Sequence, residues 1–112
     1  MASIDEQIQL AEQIAKQLSE VTRNEWMRWM QVANQHGITY AIRYAERLST
    51  DPTMRPTIQR ANQQIAQVLK KYTDSLNRYS IDNQRVALGY VAWWRRVLEK
   101  KRMGNRNQKR RK

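Results

Sequence analysis

The stretch TIQRANQQIAQVLKKYTDSLNRY, residues 57–79, places Ile58, Ile65, Tyr72 and Tyr79 at intervals of seven, with Ala61, Leu69 and Leu76 at the complementary positions. That spacing keeps side chains on one flank of an α-helix and marks a helix that buries a seam against neighbours. It predicts a long helix beginning near Thr57 inside a bundle. Just upstream, Ser49-Thr50-Asp51-Pro52-Thr53-Met54-Arg55-Pro56 has the composition of a loop. Both prolines of the chain fall there, and each disfavours helix in the residue before it.

The same logic orders the rest of the chain. Ile4, Ile8, Ala11, Ala15 and Leu18 follow helical spacing, widened by Leu10, Ile14 and Val21. Ser3-Ile4-Asp5-Glu6 and Thr22-Arg23-Asn24-Glu25 are capping-box patterns, so a helix is expected to start at each. Trp26, Met27, Trp29, Met30 and Ala33 are the apolar positions of the second helix, and Gly37 is its expected stop. Ile38, Ala41, Ile42, Ala45 and Leu48 form a third stripe. Ser80 is placed to cap a last helix that runs through Leu88, Val91, Trp94 and Leu98, with Tyr90, Trp93 and Val97 as a second apolar flank. That helix is expected to fade into a polar basic segment after residue 102.

With only three Gly, two Pro and few β-branched clusters among 112 residues, strand signals are nearly absent. The expected fold is all-α: a compact bundle of about five helices over residues 1–102, followed by a basic flexible C-terminal tail, residues 103–112. There is no Cys, which excludes disulfides, thiolate nucleophiles and thiolate metal sites. The N-terminal residues are acidic and polar where a signal peptide would be basic and then apolar. No apolar run approaches the roughly 20 residues that span a bilayer. A cytoplasmic location without membrane attachment is the expectation.

Charge is distributed unevenly. The chain carries 21 Lys and Arg against 10 Asp and Glu, a formal net charge of +11. Ten of the basic residues, and only one acid (Glu99), lie in residues 95–112. A nearly neutral body with a cationic end fits a polyanionic partner, and nucleic acid leads because neutralised phosphates release condensed counterions. A merely solvated tail is the alternative.

Catalytic patterns are missing. His36, the single histidine, precedes Gly37 at an expected helix end, where a ring that caps carbonyls suits the dipole. The acids are scattered, some as caps and some as helix-surface partners such as Glu12 with Lys16. No metal-ligand spacing and no phosphate-cradling Gly loop occurs. The chain is expected not to be an enzyme and to need no cofactor.

The binding candidates are basic and aromatic. Arg85, Gly89, Ala92 and Arg96 share a helix face, continued by Lys100, where small residues between arginines would let a backbone approach. Tight packing by Gly89 beside solvated arginines is the alternative there. Arg43 and Arg47 form a second candidate phosphate-facing pair, while Arg95, Lys101 and Arg102 extend the C-terminal set and Lys109, Arg110, Arg111 and Lys112 would add affinity rather than specificity. Four Trp and five Tyr with no Phe suit half-exposed surfaces. Trp26, Trp29, Tyr40, Tyr44 and Trp93 are accordingly candidate subunit-interface residues, with a broad core or base stacking as the alternatives.

Three segments carry a family likeness: the Ala-rich opening helix from Ile8 to Leu18; Glu25-Trp26-Met27-Arg28-Trp29-Met30 followed by the break His36-Gly37-Ile38 and Tyr40-Ala41-Ile42; and Arg85-Val86-Ala87-Leu88-Gly89-Tyr90-Val91-Ala92-Trp93-Trp94-Arg95-Arg96. Their layout resembles the small helical subunit of multisubunit CRISPR effector complexes, the Cmr/Csm/Cascade small-subunit family. The resemblance covers about two thirds of the chain, with His36 where that family has Asn. It implies a non-catalytic subunit of an antiviral defence complex, present in several copies stacked head to tail. Its partners would be other effector subunits, further copies of itself, and the guide RNA and target strand, held through their phosphates. The rival assignments are a basic helical accessory protein of another nucleic-acid assembly, such as the ring-forming partner of a retroelement reverse transcriptase, and a polybasic protein- or membrane-interaction module.

Overall fold

A computed structural model describes residues 4–110, with side chains described for residues 4–98. The order is α1 (Ile4–Lys16), α2 (Arg23–His36), α3 (Ile38–Thr50), α4 (Pro56–Asn77) and α5 (Ile81–Arg110), with no strand among the described residues. α3 packs along α4 and α1 along α5, while α2 bridges the two pairs by touching α3 and α5. The expected five-helix, all-α bundle is what forms.

Each helix boundary has a local cause. Thr22 caps α2: its hydroxyl accepts from the Glu25 amide at 3.2 Å while the Glu25 carboxylate accepts from the Thr22 amide at 3.3 Å. Pro56 opens α4, where its missing N–H costs nothing. Ser80 Oγ accepts from the Asn83 amide at 3.2 Å at the start of α5. In the loop before α4, Thr53 donates to Asp51 Oδ1 from both its hydroxyl (2.6 Å) and its amide (2.9 Å). Those bonds hold the Asp51 carboxyl below its ordinary pKa. What they add to the turn is present above the unfolded carboxyl's pKa and is lost as pH falls through the folded value. The pattern at Ser3 lies outside the described residues.

α1 ends without Gly or Pro. Its last turn tightens, the Gln17 amide donating to Ile14 O and the Leu18 amide to Ala15 O, both at 3.1 Å. Leu18 and Val21, expected to widen the α1 stripe, are fully buried from the connection instead. The Glu12–Lys16 pair forms on the surface at 3.1 Å. α4 buries Ala61, Ile65, Leu69 and Leu76 as its seam, whereas Tyr79 lies just beyond its end. The backbone of α5 stays helical to Arg110, where the sequence predicts fading after residue 102. Arg, Lys and Gln are good helix formers and no Pro follows, so Gly104 alone does not stop it.

Gly37 separates α2 from α3 at φ 91°, ψ 162°, a region that side chains rarely enter. Its amide donates to Ala33 O at 2.8 Å and its carbonyl accepts from Ala41 at 3.1 Å, so one residue ends one helix and begins the next. Gly37→Ala should cost on the order of 1–3 kcal/mol although the space beside it is open. A thermal melt should show a Tm roughly 5–15 °C lower, and an unchanged Tm would mean the junction relaxes at no cost.

Candidate nucleic-acid interface

The apolar spacing of α3 decides which of its residues face out. Ile38, Ala41, Ile42 and Ala45 are buried, which leaves Tyr40, Arg43, Tyr44 and Arg47 on the opposite side, all exposed. Arginine and tyrosine thus alternate along one outer surface. Arg43 and Arg47 are one turn apart, a rise of roughly 6 Å, close enough to serve successive phosphates of one strand. Tyr40 is 53% exposed, and the His36 ring sits 4.6 Å from it at 38°, widening the flat surface. The one acid of α3, Glu46, is turned to the α4 edge by Lys70 at 3.1 Å. The surface therefore offers guanidinium donors and ring faces without a carboxylate between them, the combination that single strands use.

The sequence shows Tyr40/Tyr44 and Arg43/Arg47 as two pairs on neighbouring faces. Their union into one surface is the feature sequence reasoning missed, although the spacing 40, 43, 44, 47 contains it.

α5 distributes its cations differently. Arg96 is exposed, whereas Arg95 is 7% exposed and cannot meet a phosphate. Its Nε donates to Val21 O at 3.0 Å and its Nη1 to Ala15 O at 3.3 Å. Arg95 thereby satisfies a last-turn carbonyl of α1 and closes the α1–α2 connection onto α5. The expectation of a nucleic-acid-binding Arg95 is corrected on this ground. Arg85 plays a related part: exposed itself, it donates to Asn34 O at 3.2 Å in the last turn of α2. A cation at the negative end of each helix dipole is stabilising. Lys100, Lys101 and Arg102 lie on the helical backbone of α5, but their side chains fall outside those described.

Two expected interface residues are core instead. Trp26 and Trp29 are 0% and 1% exposed and stack at 4.8 Å. Their indole N–H groups donate to Leu88 O at 3.0 Å and Ala41 O at 2.8 Å. With those donors satisfied, full burial carries no polar penalty, so neither ring is available to a partner. Tyr44 and Trp93 do reach the surface, Trp93 at 54% exposure, edge-on to Trp94.

Neither a family model, nor a curated protein, nor a solved structure matches the chain. Among the described residues no helix is long and apolar enough to cross a membrane, and no three His, Asp or Glu side chains gather to hold a metal.

Proposed function

We propose that this chain is a non-catalytic subunit that holds a nucleic-acid strand by its phosphates. Its setting is a cytoplasmic RNA-guided CRISPR effector complex, in which it takes the place of the small helical subunit in several copies. The observation that carries the binding function is the outer surface of α3, where Arg43 and Arg47 interleave with Tyr40 and Tyr44 and the only neighbouring acid is paired away. The basic composition of residues 95–112 adds a second, less shaped source of attraction. The setting rests on the resemblance of the α1, α2–α3 and α5 segments to that family. In this function sequence is read by the guide, and the protein contributes counterion release and stacking, which are indifferent to base identity.

Binding of a fluorescent single-stranded RNA should weaken steeply as salt rises. Arg43→Glu combined with Arg47→Glu should lower affinity roughly 10–100-fold and flatten the log–log salt slope by about 2, one per lost phosphate contact. Circular dichroism should be unchanged, since both side chains are exposed. A flat salt dependence in the wild type, or undiminished affinity in the double variant, overturns this surface as the contact. A closed ring formed by the chain alone, seen by native mass spectrometry, overturns the effector-subunit setting.

A further inference from the structure

The outer side of α5 carries a stripe that neither the core nor the nucleic-acid surface uses. Asp82, Val86, Gly89, Trp93 and Arg96 recur at helical spacing on the side turned away from α1 and α2. Val86 and Trp93 are 44% and 54% exposed, large apolar groups left in water. Gly89 sits between them in mid-helix, where glycine weakens the helix. Nothing lies within 4 Å of the position its Cβ would occupy. The expectation that Gly89 makes room for packing within the chain is therefore corrected. The opening faces outward.

Charge indicates what fills it. Asp82 and Arg96 stand seven residues to either side of Gly89, and neither takes part in an ion pair among the described residues. We propose that this stripe seats the same stripe of a second copy, the two α5 helices crossing antiparallel at Gly89 about a two-fold axis. Reversing the helix about Gly89 sets each Asp82 against the second copy's Arg96, so the attraction occurs twice by symmetry. A parallel pairing would oppose like charges instead. Antiparallel helix dipoles also attract, and Val86 of each copy meets the Trp93 side of the other across the close approach that two glycines allow. A nucleic-acid strand fits the stripe less well, because Asp82 repels phosphate and Arg85 is already tied to Asn34. This pairing does not depend on the proposed function and produces a two-copy unit, not an open stack.

The test uses the full chain, freed of nucleic acid with nuclease, in analytical ultracentrifugation over a wide concentration range. The wild type should form a dimer and nothing larger. Asp82→Arg and Arg96→Asp should each weaken it at least about tenfold. Mixed in equal amounts, those two variants should form a heterodimer of about wild-type affinity, because every facing pair is then opposite in sign. Gly89→Leu should abolish the dimer without lowering the melting temperature. A wild type that stays monomeric, a ring or filament, a dimer indifferent to these substitutions, or variants that fail to rescue one another would overturn the proposal. RNA that protects Trp93 on a monomeric chain would also overturn it and assign the stripe to a strand.

Discussion

Arg95→Ala is expected to lower stability by about 3–5 kcal/mol, while Arg96→Ala, one residue further on, should stay within about 0.5 kcal/mol of wild type. The contrast follows from geometry. The Arg95 guanidinium is buried and bonded to Val21 O and Ala15 O, and truncation leaves both carbonyls facing a cavity. Hydrogen bonds to a charged group contribute roughly 1.5–3 kcal/mol each, and unsatisfied buried acceptors add their own penalty. Against a typical total of about 5–15 kcal/mol, such a loss brings the chain near its unfolding threshold. Urea denaturation followed by circular dichroism measures it. Lysine should not rescue the site, since one ammonium on a flexible stem does not reproduce a planar fork aimed at two carbonyls. If Arg95→Ala kept full stability and instead lost RNA affinity, the residue would be a phosphate contact after all.

Trp29→Ala is expected to cost about 3–5 kcal/mol, the range for deleting a fully buried aromatic side chain. It removes the ring stacked on Trp26 and the donor to Ala41 O, so the α2–α3 contact loses both packing and its cross-link. Trp29→Phe should cost less, about 1–3 kcal/mol, because most of the apolar body remains and the Ala41 carbonyl loses its partner. A double-mutant cycle with Trp26 should show coupling of about 0.5–1.5 kcal/mol from the stacked pair. Tyr40→Ala makes the control, since that exposed ring should leave the denaturation midpoint nearly unchanged. Equal midpoints for Trp29→Ala and Tyr40→Ala would place Trp29 outside the core.

Much of the architecture is legible in the chain because its signals are local. The Thr22/Glu25 capping box, the proline-bounded loop before α4 and the Ile65/Leu69/Leu76 seam all appear where the spacing puts them. The misreadings share a cause: residue type was allowed to outweigh position. Arg95 looks like Arg96 in composition, yet adjacent helix residues point about 100° apart, and Arg95 falls at i+4 from Val91 and i+7 from Leu88, both core. Trp26 and Trp29 share the inner face with Ala33, but their polar atoms suggested an interface. The carbonyls that receive their N–H groups come from α5 and α3, which no local pattern reveals. On α3 the opposite holds, since the buried stripe at Ile38, Ala41, Ile42 and Ala45 already determines what must face outward.

The bonds from Arg95 to Val21 and Ala15 span 74 and 80 residues of chain. During synthesis, α1 emerges with a carbonyl that finds its donor only when α5 has been made. Contacts of such separation close large loops and come late in folding. The α1–α2 connection should therefore be sensitive to protease on a nascent chain and become protected only after residue 95 clears the ribosome.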